Sequence, residues 1–231
     1  MSEQLTLGVQ LEDNASFENF YPAKNTQVLA SVREMARGRG EHYLLLWGKQ
    51  GAGCSHLLQA ACRETASIGL PAMYLDMACL AACGSVDAFD NLEALHLVCL
   101  DNIDALAGQD DWEEALFHFF NRMRESGHRL IMSLHQAPKN VLFRLADLRS
   151  RLSWGVVYQL HALDEEEKKK ALYFRAEHRG FTLSEPVADY LLRHCQRDMA
   201  TLANILDQLD QASLSAQRKL TVPFVKSVLG L

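Results

Sequence analysis

Five short apolar runs punctuate the first two thirds of the chain: Tyr43–Trp47, Pro71–Asp76, Leu95–Leu100, Arg129–Leu134 and Val156–Leu160. Each is continuous rather than alternating, the pattern of a strand covered on both faces, as in a parallel sheet. Amphipathic segments lie between them, notably His56–Ser67 and Trp112–Glu125. Ahead of the first run, Val28, Leu29, Val32, Met35 and Ala36 recur near helical spacing from Ala23 to Arg37, and Gly38 and Gly40 end the run. Strand and helix therefore alternate over residues 16–162, which predicts an α/β domain built on a five-stranded parallel sheet flanked by helices. Residues 1–15, polar with scattered apolar positions, read as a flexible leader.

From residue 163 to 231 the pattern turns purely helical. Asp164 is placed to cap a helix that runs to Arg179 with Gly180 beyond it, and Ser184 to cap a second with Pro186 in its first turn. Asp198 opens a third, with Leu202, Ile205, Leu206, Leu209 and Ala212 on one face, and Thr221 a short fourth. Within the run 165–170, Glu165/Lys169 and Glu166/Lys170 are i,i+4 pairs in the favourable order, so a solvated helix face is expected there.

Composition narrows the function classes. The 231 residues are 48% apolar and 23% charged with a net charge of −6, an ordinary globule without a broad basic face for nucleic-acid phosphates. Residues 1–12 lack a secretory pattern and no apolar run approaches the roughly 18–20 residues a membrane span needs, so a cytoplasmic location is expected. Six cysteines without a C-x-x-C pair read as free thiols in a reducing compartment.

Directly after the first predicted strand stands Gly48-Lys49-Gln50-Gly51-Ala52-Gly53-Cys54-Ser55, followed by the helical His56-Leu57-Leu58-Gln59-Ala60. A phosphate loop has Gly, four residues, then Gly-Lys-Ser/Thr between strand and helix, and everything here fits except the lysine, which is Cys54. Glycines let successive amides turn inward at a helix N-terminus and form an anion cradle, and Ser55 stands where a hydroxyl would hold Mg²⁺. The missing ammonium removes a charged hydrogen bond of about 1.5–3 kcal/mol, or roughly 10- to 150-fold in affinity. That bond normally serves the β- and γ-phosphates, so a diphosphate is expected to bind about as well as a triphosphate, or better. The third predicted strand ends in Asp101, the usual Mg²⁺ partner, followed by Asn102 where an acid would polarise water; Asp104 reads as a solvent-facing cap.

These motifs resemble the DnaA family of AAA+ replication proteins. The likeness runs from about Ala15 onward: Phe17-Glu18-Asn19-Phe20, the loop with His56–Ala60, Phe117–Asn121, Arg149-Ser150-Arg151-Leu152-Ser153-Trp154-Gly155, and the closing 217–226. The resemblance implies an AAA+ domain followed by a small all-helical lid. The closing segment is most similar to a shortened regulatory branch of the family that has no DNA-reading domain. By this resemblance the chain occupies its own site with a nucleotide, ADP being expected and Mg²⁺ held through it by Ser55 and Asp101. Gly48, Gly51, Ala52, Gly53, Cys54, Ser55, His56, Asp101, Asn102 and Arg197 would form that site. Its implied partners are DnaA and the DNA polymerase III sliding clamp, with DNA engaged only through the clamp and self-association left open. Gln4, Leu5, Leu7 and Val9 resemble a clamp-docking peptide, and an extended segment offering alternate apolar side chains suits a hydrophobic pocket. Arg151 matches an arginine that reaches a neighbour's nucleotide, a role worth about 10³–10⁵ in rate, and Trp154 reads as packing. The phosphate-loop lysine, second acid, sensor and lid arginine of the family fall here on Cys54, Asn102, His135 (with Ser133 a polar substitute) and Ala200. Little intrinsic ATPase activity is therefore expected. The rival readings are an autonomous ATPase using Lys49, Asp104 and Arg197, a clamp-independent DNA adaptor or helicase loader, and a nucleotide-free scaffold.

Overall fold

The computed structural model describes residues 15–216 and 218–230. Within it the chain divides into two compact units, the first holding Asn25–His161 with the described residues up to Phe17, the second Glu18–Lys24 with the residues from Ala162 on.

In the first unit the order is α1 (Thr26–Ala36), β1 (Tyr43–Trp47), α2 (Cys54–Ser67), β2 (Ala72–Asp76), α3 (Met77–Cys83), β3 (Leu97–Asp101), α4 (Asp110–Ser126), β4 (Arg129–Leu134), α5 (Ala146–Leu152) and β5 (Val156–Gln159). All pairings are parallel and the sheet order is β2-β3-β4-β1-β5. Every residue of β3 and β4 is buried, as the continuous apolar runs require of central parallel strands. Alternation along the strands sends Leu45, Val98, Leu100, Leu130 and Met132 into a core shared with Phe119, Phe120 and Met123 of α4. The opposite face carries Cys99, whose thiol meets Cys62 of α2. Asn25 closes the unit on itself, its amide donating to the His161 carbonyl and its oxygen accepting from the His161 N–H, at 2.9 and 2.8 Å.

The second unit contains α6 (Glu165–His178), α7 (Glu185–His194), α8 (Met199–Ala216) and α9 (Val222–Leu229) around Leu172, Val187, Leu191, Leu202, Leu206 and Val225. Asp164 forms a reciprocal capping box with Glu167, and Lys24 pairs with both carboxylates. Asp198 accepts from the Thr201 N–H at 2.8 Å, and Thr221 caps α9, while Ser184 precedes α7 without a side-chain capping bond. Among the described residues no helix is long and apolar enough to cross a membrane.

Three sequence expectations change. Glu18–Lys24, read as part of the sheet domain, group with the helical unit. The i,i+4 pairs of α6 give way to longer reaches: Lys169 contacts Glu185 and Asp189 at 2.8 Å each, and Glu165 pairs with Arg197. A carboxylate on a neighbouring helix competes well because an exposed i,i+4 pair is worth only about 0.3–0.5 kcal/mol. β5, expected to be covered on both faces, alternates between half-buried and exposed residues, with Val157 39% exposed, because it lies at the edge of the sheet. Arg151 occupies the last turn of α5, a seven-residue helix too short to show a period.

At the sheet's N-terminal edge His96 and His128 lie 6.0 Å apart, beside Arg129, which donates to the Gly38 carbonyl. Burial, then the Arg129 charge, then His128 hold the His96 ring below its ordinary value. The folded protein therefore keeps His96 neutral, whereas the unfolded chain takes up its proton at about 6.5. This contribution is intact above that pH and is lost as the pH falls through the depressed folded value. The urea midpoint is expected to drop between pH 7.5 and 5.5, and His96→Gln to flatten that drop; an unchanged slope in the variant would assign the acid sensitivity elsewhere.

Candidate functional site

The turn from β1 into α2 is set by a close approach. A Cβ on Gly48 would stand 2.7 Å from the Leu160 carbonyl oxygen and 2.9 Å from the Ala52 Cβ, so only glycine fits. Gly48 donates its N–H to the Leu134 carbonyl at 3.1 Å, and Ala52 donates to that of Lys49 at 2.9 Å. Gly51 (φ 79°) and Gly53 (φ 105°) carry the loop through left-handed backbone that other residues rarely adopt. Gly53 is the N-cap of α2 without a side-chain bond, leaving the helix's first amides to an external acceptor. Ser55 is exposed in the first turn, and the His56 ring bonds the Ser16 carbonyl at 2.8 Å.

Cys54 is half-buried where the lysine of a phosphate loop would stand. Burial first, then the negative charges of Asp101 and Asp104, push its thiol up to about 12. It therefore supplies a neutral side chain beside two carboxylates. Lys49, the nearby cation of the loop, is exposed.

Asp101 is fully buried at the end of β3. One oxygen accepts from the Tyr74 hydroxyl at 2.7 Å and the other from the Ser133 hydroxyl. Burial and the Asp101 charge hold the Tyr74 hydroxyl well above its ordinary value, so it remains a donor. Asn102, in left-handed backbone that asparagine tolerates, takes its N–H to Ser133 Oγ at 2.9 Å and its side-chain amide to Asp76 Oδ1 at 3.0 Å. Asp76 and Asp101 are register partners at the ends of β2 and β3. An acid at 102 would crowd a third carboxylate there, whereas the amide donates. Tyr74 and Asp76 escaped the sequence reading; a second apolar strand ending in an acid, Tyr-Leu-Asp, was the available signal.

Asp104 is not the solvent-facing cap expected of it. Its carboxylate accepts from the His135 N–H at 3.3 Å and meets His135 Nδ1 at 3.1 Å. Ser133, considered as a polar sensor, is occupied by Asp101 and Asn102. Arg197 belongs to the helical unit, where it pairs with Glu165. Gln4, Leu5, Leu7 and Val9 lie outside the described residues. Among those described, no cluster of three or more His, Cys, Asp or Glu side chains is placed to hold a metal ion.

Arg151 stands apart from this rim. Its guanidinium lies 4.7 Å from the Trp154 ring centroid and 5.9 Å from that of Phe117, and among the described residues no carboxylate pairs with it.

A glycine turn between β1 and α2, an acid ending β3 and this strand order define a P-loop domain of the AAA+ class. The chain belongs to the family of the bacterial DnaA ATPase domain, whose model matches residues 11–159, and residues 165–229 match the lid domain of Hda. The fold agrees with solved structures. Domain III of the Thermotoga maritima replication initiation protein DnaA superposes with a TM-score of 0.75 at 21% identity, covering 95% of this chain and 97% of that one. AMPPCP-bound DnaA from Aquifex aeolicus gives 0.71 at 23% identity, over 88% of this chain and 67% of that. The Thermotoga maritima RuvB Holliday junction branch migration motor gives 0.60 at 15% identity, over 90% and 67% respectively.

The thiol chemistry is checkable. At pH 7.5 a thiol at about 12 carries about 10³-fold less thiolate than one at 9, and the thiolate is the nucleophile. Iodoacetamide mapped by peptide mass spectrometry is expected to label the exposed Cys79 and Cys83 before Cys54, by less than that factor at Cys79, whose own thiol is raised by its contact with Cys83. Comparable labelling of Cys54 would mean that its pocket is open and cationic.

Proposed function

We propose that this chain is a regulator of replication initiation that holds a nucleotide in its own site without turning it over efficiently and acts on ATP carried by DnaA. The observation that carries this reading is Arg151, a guanidinium at the end of α5 with aromatic rather than carboxylate neighbours. Its setting in a chain matched by the DnaA ATPase-domain and Hda-lid models supports a role toward a DnaA-type partner.

The residues of the first unit fit a nucleoside diphosphate. The close seating of Gly48 and the left-handed Gly51 and Gly53 turn the loop so that the amides at the start of α2 can grip a pyrophosphate, with Ala52, Cys54, Ser55 and His56 along the same turn. Ser55 and Asp101 are the residues that would hold Mg²⁺ with it. The AMPPCP-bound relative supports occupancy by an adenine nucleotide. Hydrolysis is poorly served: Cys54 offers no charge to a γ-phosphate, Asn102 is spent on Asp76, and Asp104 is tied to His135. These engagements weigh against the autonomous ATPase.

In trans the chemistry is simpler. Water attacks the γ-phosphorus of ATP on DnaA, the bond to the β–γ bridging oxygen breaks, and negative charge grows on oxygens that Arg151 can reach with several N–H donors. The segment with Gln4, Leu5, Leu7 and Val9 would bring the chain to the DNA polymerase III sliding clamp on DNA by strand-like docking. Hydrolysis by ATP-loaded DnaA, followed with clamp-loaded DNA and this chain present, is expected to fall about 10³-fold or more in stimulation with Arg151→Ala, while the variant's melting temperature stays near that of the parent. Full stimulation by that variant would refute the trans reading.

A further inference from the structure

Trp154, read from sequence as packing, is 48% exposed, too open for a core residue of its size. Two guanidiniums lie over its ring instead: Arg151 at 4.7 Å and Arg124, in the last turn of α4, at 5.3 Å. The backbone that carries the indole is tightly constrained. The Trp154 N–H donates to the Arg151 carbonyl at 2.9 Å, so the two residues share one turn. Gly155 then takes a φ of 82°, and a Cβ there would stand 2.8 Å from the Tyr43 carbonyl oxygen. The turn is thereby pressed against the first strand of the sheet, which fixes the backbone from which the ring projects.

We infer that Trp154 is a positioning residue for Arg151: its π-face, with Phe117 alongside, seats the guanidinium before a partner arrives. This rests on the reading of Arg151 as a group acting in trans. An aromatic face is the right seat for such a group. A carboxylate would hold the guanidinium by paired hydrogen bonds and compete with phosphate for the same N–H donors. An aromatic quadrupole attracts the cation through its face and leaves the N–H donors at the guanidinium edge available. An unseated arginine would have to lose its side-chain freedom during each catalytic encounter, which lowers the rate at saturation rather than the affinity.

The test uses Trp154→Leu and Trp154→Phe, which both keep apolar bulk while only phenylalanine keeps a π-face, together with Arg151→Ala, in the full chain. Hydrolysis by ATP-loaded DnaA is measured across a range of regulator concentrations with clamp-loaded DNA. Trp154→Leu is expected to lower the maximal stimulated rate about 3- to 30-fold with the half-saturating concentration within about 2-fold of the parent, and Trp154→Phe to restore most of the loss. Equal losses in the leucine and phenylalanine variants, or a change confined to the half-saturating concentration, would overturn the positioning role and make Trp154 a packing or docking residue. Should Arg151→Ala itself stimulate fully, it is the trans mechanism that fails, whatever the tryptophan variants do.

Discussion

The contact of Gly48 with the end of β5 fixes the geometry on which the candidate nucleotide site depends. With a Cβ excluded by the Leu160 carbonyl and by Ala52, the chain leaving β1 turns directly under the sheet edge and delivers the N-terminus of α2 beside the end of β3. Parallel strands in register bring Asp76, Asp101 and the residues after β4 to the same rim. An anion cradle and a set of carboxylates thus come together because of how five parallel strands end, before any side-chain chemistry is chosen.

The side chains then make that rim quiet. A neutral thiol faces the two aspartates, and a network of hydroxyl and amide donors satisfies the acids from within: Tyr74 and Ser133 on Asp101, Asn102 on Asp76, His135 on Asp104. Carboxylates that already accept hydrogen bonds are stable as structure and poorly placed to take a proton from water. The same family architecture leaves Arg151 with rings for neighbours and, among the described residues, no carboxylate partner. Engaged acids at one place and, among the described residues, a guanidinium without a carboxylate partner at another accord with the proposed role toward a second protein.

Much of this was legible in the sequence where one physical signal dominates. Short apolar runs marked four of the five strands to within a residue at each end, and Asp164 and Asp198 announced their helices through capping. Short elements were not legible: α3 and α5 span seven residues each, too few for a helical period, and α5 carries Arg151. The third strand was read through to its buried acid, Asp101, but was begun at Leu95, ahead of its start at Leu97. Partner choice was least legible. Asp104 binding His135, Lys169 reaching α7 and Arg124 reaching Trp154 are contacts between neighbouring elements, invisible to spacing along one of them.

The central claim is that the loop amides grip a pyrophosphate although no lysine stands at position 54. Calorimetric titration of the purified, nucleotide-stripped chain with ADP and with ATP tests it most directly. The account predicts saturable binding of the diphosphate at least as tight as that of the triphosphate. Absence of binding by either, or a preference for ATP of about 10-fold or more of the kind a charged hydrogen bond to the γ-phosphate confers, would contradict it.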